Sequence, residues 1–159
     1  YLGVCKWKGI RGGEGMKKQW ARVVLNKVAV SNLQSPADIR KVECPSASQC
    51  REDIEGRVNV MRDGFMDMRG VHGGNDGVIF VALSYRSGKA EKGQLLYGAD
   101  GPVKVWINGK EAGCHPEATN PATPASFKAT ANWKKGRNSI MFALSTNKGK
   151  AWGIFCGVS

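Results

Sequence analysis

The sequence predicts an all-β sandwich of two antiparallel sheets, formed by residues 1–159 as a single domain. Three observations carry this. Val103, Val105 and Ile107 alternate with Lys104, Trp106 and Asn108, the two-residue period of a half-buried strand. Asn108-Gly109 follows at once, and a type I′ hairpin turn needs positive φ at both central positions. The chain holds 21 glycines among short apolar runs, with few long amphipathic stretches.

In chain order, residues 1–7 read as a short strand and 8–19 as a basic, Gly-rich loop. Residues 21–30 read as a strand or strand pair. Residues 31–51 are polar with Pro36 and Pro45, leaving room for one helical turn near 37–42. Residues 56–61 form another strand, and 62–77, rich in Gly, Asp and Met, an irregular loop. Over 78–86, Ile79, Val81, Leu83 and Tyr85 share one face of a long strand. After a charged turn at 86–93, residues 94–97 lead into the alternating segment. Residues 113–126 carry three prolines and no periodicity, hence a surface loop. Lys134-Lys135-Gly136 separates two more strands, the second with Ile140, Phe142 and Leu144 on one face, and Asn147-Lys148-Gly149 turns the chain into the last strand.

Composition narrows the function. Lys and Arg number 24 against 13 Asp and Glu, a net charge of +11. Such a field attracts polyanions, whether nucleic acid, anionic polysaccharide or anionic membrane, or it simply solubilises the surface. No zinc-finger, helix-turn-helix or aromatic RNA-binding signature accompanies the charge, which argues against nucleic acid. No apolar run is long enough to span a membrane. The first residue is Tyr1, the expected mark of a processed product or an excised part. G-x-S-x-G, H-E-x-x-H and P-loop patterns are absent, and acids in Gly-rich loops such as Asp63 and Asp67 more often cap turns than catalyse. The expectation is a non-enzyme. Cys44 and Cys50 flank a polar segment that gives a thiol nothing to bury against, so a local disulfide is expected, and with it export.

The segments 103–110 (VKVWINGK), 134–138 (KKGRN), 140–144 and 152–155 (WGIF) together resemble the galactose-binding-like β-sandwich found as carbohydrate-binding modules and accessory domains of bacterial polysaccharide-degrading enzymes. The resemblance covers 97–158, and residues 1–76 share only its general character. It implies a jelly roll, an extracellular or cell-surface location, and a module that holds a larger secreted enzyme near its polysaccharide. Its alternative is a purely structural accessory sandwich of a glycoside hydrolase or polysaccharide lyase. In such sandwiches the terminal strands lie close, so that Cys5 and Cys156 could be bridged or could be two small buried apolar residues. The family's usual calcium site draws on acids near both chain ends, and residues 1–13 and 145–159 have none.

Sugars pack C–H faces on aromatic rings and pair their hydroxyls with polar side chains, so a site needs exposed Trp or Tyr beside Asn, Asp, Arg or Lys. Trp7 and Trp20, beside Lys17 and Lys18 in the basic loop, are candidates. Trp106, Trp133 and Trp152 are expected mainly in packing roles. The second candidate is the 63–76 loop, which offers Arg69, His72, Asn75 and Asp76 as ligand-binding residues. Asp63 and Asp67 could hold a structural calcium with help from backbone carbonyls. The charge balance points to an anionic polymer, with Arg69, Lys17 and Lys18 as its partners.

Overall fold

A computed structural model describes residues 28–61 and 63–159. The strands are β1 (Ala29–Val30), β2 (Arg51–Glu52), β3 (Asn59–Val60), β4 (Phe65–Asp67), β5 (Val78–Ser87), β6 (Glu91–Ala99), β7 (Val103–Ile107), β8 (Lys110–His115), β9 (Phe127–Trp133), β10 (Gly136–Ser145) and β11 (Gly153–Val158). A one-turn helix, α1 (Arg69–His72), follows β4, and two 3-10 turns lie at Ile39–Lys41 and Ala47–Gln49. They form two antiparallel sheets, in the orders β2-β1-β5-β10-β7-β8 and β3-β4-β11-β6-β9. From β5 onward the chain crosses between the sheets at every step except the β7–β8 hairpin.

That core is built from the alternating positions. Ile79, Val81 and Leu83 on β5, Val103, Val105 and Ile107 on β7, and Ile140, Phe142 and Leu144 on β10 point inward from one sheet. Leu95, Tyr97, Ala129, Ala131, Trp133, Ile154 and Cys156 meet them from the other. The period of two puts all of these on the same side of a pleat, and burial of the apolar face is the main gain. The turns are those expected: Asn108 and Gly109 take φ of 50° and 80°, and Asn147, Lys148 and Gly149 all have positive φ.

The outer face of the six-stranded sheet is also covered. Val78, Phe80, Trp106, Met141 and Ala143 pack beneath Ile39 and Cys50, so Trp106 belongs to a second, smaller core. Lys104, on the same face and 6% exposed, donates from Nζ to the carbonyls of Arg40 and Val42 at 3.0 and 2.8 Å. A buried ammonium needs such partners, and here it pins the 38–50 segment to the sheet.

Three expectations need correction. The 62–77 segment is not an irregular loop, since it carries β4 and α1. Phe65, Met66 and Asp67 pair with Phe155, Ile154 and Gly153, far away in sequence, which no local pattern announces. The segment 113–126 begins inside β8, which extends to His115. Cys44 and Cys50 are not joined, for both thiols are free. A 3-10 turn lies between them. Cys44 is exposed, while Cys50 turns into the second core and directs its Sγ to the Phe80 carbonyl at 3.7 Å. Cysteine usage therefore does not argue for export. Burial pushes the Cys50 thiol up to about 11 and Cys156 up to about 12. Maleimide is therefore expected to modify Cys44 in the native protein, and Cys50 and Cys156 only after unfolding, as read by peptide mapping. Labelling of all three at one rate would contradict this packing. Trp7, Lys17, Lys18, Trp20 and Cys5, with the strand over 1–7, lie outside the described residues.

Candidate functional site

The loops at one end of the sandwich gather around Trp152. Register brings them together: β4, β7, β10 and β11 place Asp67, Val103, Ser145 and Gly153 at this end. The chain between β10 and β11 turns at Asn147-Lys148-Gly149, where Gly149, with φ +80°, lies so close to the Gly74 backbone that a side chain would collide.

Trp152 is held through its backbone on several sides. Its backbone N–H donates to both carboxylate oxygens of Asp100 at 2.8 Å, and Gly153 N–H adds a third bond at 3.0 Å. The Trp152 carbonyl accepts from Met68 N–H at 2.7 Å. Asp100 is 3% exposed, and burial pushes its carboxyl above the usual range while the Gly153 and Trp152 amides draw it back. With its backbone so fixed just before β11, the side chain projects outward, 48% exposed.

Arg69 lies over this ring, its guanidinium carbon 3.8 Å from the ring centre. It is held there by Asp67, which accepts from Nη2 at 2.6 Å, from Nε at 3.1 Å and from the Arg69 backbone N–H at 3.0 Å. These bonds hold the Asp67 carboxyl below its ordinary value. The Arg69–Asp67 pair therefore favours the folded state above the usual carboxylate range, and that contribution is lost on acidification through the lowered value. A rigid cation stacked on a half-exposed indole is an aromatic platform with an adjoining polar edge.

The other expected site residues also shape the loop. His72 is 2% exposed, with Nε2 bonded to the Ala151 carbonyl at 2.8 Å and Nδ1 accepting from Gly74 N–H at 2.9 Å. It ties the α1 loop to the residue before Trp152, and both of its ring nitrogens are engaged within the protein. Asn75 donates from Nδ2 to the His72 carbonyl, and Asp76 Oδ1 accepts from Lys148 N–H at 2.9 Å. Both are exposed at the edge of the platform. Thr146, fully buried, joins the two loops by accepting from Gly77 N–H and donating to the Asn75 carbonyl.

The two acids expected at a calcium site, Asp63 and Asp67, already bond to groups of the protein. Asp63 lies in the turn between β3 and β4 and caps Phe65 N–H, whereas Asp67 lies at the far end of β4 and is spent on Arg69. Among the described residues, no three His, Cys, Asp or Glu side chains gather to hold a metal. Sequence reasoning also missed Trp152, expected in a packing role, together with Asp100, which fixes it. Lys148 and Lys150, both exposed, share the Trp152 loop.

No protein-family model matches the sequence, and no curated protein does. Solved structures match its fold. A beta-glucosidase from Kluyveromyces marxianus in complex with glucose aligns over 83% of this chain at 11% identity, with a TM-score of 0.53. This chain spans only 16% of that enzyme. An anti-sigma factor domain-containing protein aligns over 94% of this chain and 46% of its own, at 15% identity and a TM-score of 0.51. A family 35 carbohydrate binding module from an environmental isolate aligns over 82% of this chain and 87% of its own at 14% identity, but its TM-score of 0.42 carries no argument. The likeness is one of fold: the chain is a two-sheet antiparallel β-sandwich, a unit also present within a glycosidase. Among the described residues, no helix is long and apolar enough to cross a membrane.

Proposed function

We propose that this domain is a non-catalytic carbohydrate-binding module of a larger secreted polysaccharide-degrading enzyme, and that Trp152 is its sugar platform. The observation that carries the reading is the half-exposed Trp152 indole, its backbone fixed by Asp100 and its ring stacked with Arg69, which Asp67 holds. Such a ring can take the C–H face of a sugar, while Asn75, Asp76, Lys148 and Lys150, exposed on the two loops that Thr146 joins, offer donors and acceptors. Because the platform is already ordered, little entropy is lost on binding. Holding the enzyme on its polymer raises the effective concentration of cleavable bonds.

The net charge of +11 favours an anionic polymer. Arg69 is paired with Asp67, and among the described residues Lys148 and Lys150, in the Trp152 loop, are the cations we assign to sulfate or carboxylate. Affinity electrophoresis through gels containing neutral or anionic polysaccharides tests both parts. Retardation by at least one polymer is expected, and with an anionic one it should weaken steeply from low salt to about 0.5 M as screening tightens. Retardation only by neutral polymers, indifferent to salt, would remove the electrostatic part. No retardation by any polymer would favour a structural accessory sandwich, a role consistent with the occurrence of this fold inside a glycosidase.

A further inference from the structure

The opposite end of the sandwich holds a second opening. There β5, β6, β9 and β11 bring Tyr85, Glu91, Lys92, Gly93, Trp133, Val158 and Ser159 around a cleft of about 380 Å³. That volume lies within the roughly 300–1,000 Å³ of small-molecule sites. Register separates it from the Trp152 platform: Val158 is the last residue of β11, and Gly153, next to Trp152, is the first.

One feature of this cleft is unexplained by packing. Trp133 is 3% exposed, yet its Nε1 is the one buried side-chain nitrogen or oxygen without a hydrogen-bond partner among the described residues. Buried polar groups are ordinarily paired, because an unpaired one loses its hydration for nothing. Gly93 lies directly against it, with no room for a side chain: a Cβ there would lie 2.6 Å from Trp133 Nε1 and 3.1 Å from the Ser159 carbonyl oxygen. The N–H thus lies just beneath the floor of the cleft, behind Gly93, which pairs with Ala131 near the end of the β6–β9 ladder.

We infer that this cleft is a second ligand site, for a single saccharide ring, in which a sugar oxygen accepts from Trp133 Nε1 as the Gly93 segment gives way. The choice of a sugar rests on the module reading above, and the chemistry of the walls agrees with it. Tyr85 and Trp133, their rings 4.8 Å apart and edge-on across the two sheets, offer apolar surface with Val158. Glu91 at the rim supplies an acceptor, already shared with Ser87 Oγ at 3.3 Å, and the exposed Lys92 a donor. Apolar rings beside one donor, one acceptor and a buried N–H suit a compact polyol with one C–H face, and suit a purely apolar or a highly charged ligand poorly.

The test is a nitrogen-15 NMR titration of the whole chain, with the indole signals assigned. Methyl β-galactoside, methyl β-glucoside and glucuronate serve as probes, up to about 50 mM because single-ring affinities are weak. At least one probe is expected to move the Trp133 indole N–H signal downfield together with the Glu91–Gly93 amides. Gly93→Ala should abolish that shift while leaving the Trp152 signal in place, and the rim variant Lys92→Ala, exposed and fold-neutral, should weaken binding several-fold. The two sites report separately. Movement of Trp152 with Trp133 fixed would overturn this second site alone. Movement of Trp133 with Trp152 fixed would support it and remove the platform. A Trp133 signal unmoved by every probe would overturn the proposal.

Discussion

Replacing Asn138 by alanine is expected to destabilise the domain by about 3–5 kcal/mol, among the largest effects of any single substitution, because one fully buried amide serves three segments. Its Oδ1 accepts from Lys134 N–H at 2.9 Å and from Asn108 Nδ2 at 3.0 Å. Its Nδ2 faces the carbonyls of Lys134, Gly136 and Tyr85 at 2.9, 3.2 and 3.3 Å. These bonds close the turn into β10 and tie it to β5 and to the β7–β8 hairpin. Alanine orphans several of these groups where water cannot replace the side chain. Asn138→Asp is the sharper control: it keeps the shape and the acceptor but turns a carboxylate toward three carbonyls, so it should cost at least as much. Urea unfolding measures both, and a loss of stability below about 1 kcal/mol for Asn138→Ala would contradict this role.

Asn138 also shows where the sequence was legible. It closes the Lys-Lys-Gly-x-Asn segment, and the structure gives the reason for that pattern, since Gly136 takes φ of 91° and Asn138 binds back across the turn. The strands of β5, β7 and β10 were readable because their apolar residues repeat every second position, and the β7–β8 turn because Asn108-Gly109 suits positive φ. Nothing local marked β4, whose three residues become a strand only by pairing with β11. The same limit hid the platform. Trp152 sits one residue before β11, and a sequence does not tell whether such a ring turns inward, as Trp133 does, or outward. Asp100, 52 residues earlier, decides this by capturing the Trp152 and Gly153 amides. His72 shows the same limit from the other side: nothing local in a Gly-rich loop marks a polar ring as buried, yet it joins that loop to Ala151. Arg69, expected to bind the ligand, pairs with Asp67 two positions away.

The exposed indole is where fold and function meet, and its removal is the second large effect. Trp152 is half out of the protein, so Trp152→Ala should leave the thermal midpoint close to that of the wild type. Binding should change far more. Aromatic stacking on a ring ligand contributes about 1–3 kcal/mol where it has been measured for nucleobases, which corresponds to a roughly ten- to hundredfold loss of affinity. Arg69 would also lose the ring it stacks on, while its bonds to Asp67 would remain.

The most direct measurement is affinity electrophoresis of the wild type and Trp152→Ala, side by side, in a gel containing a polysaccharide that retards the wild type. The account predicts that the variant runs at its mobility in a polymer-free gel while its unfolding transition is unchanged. A folded Trp152→Ala retarded as strongly as the wild type would contradict it.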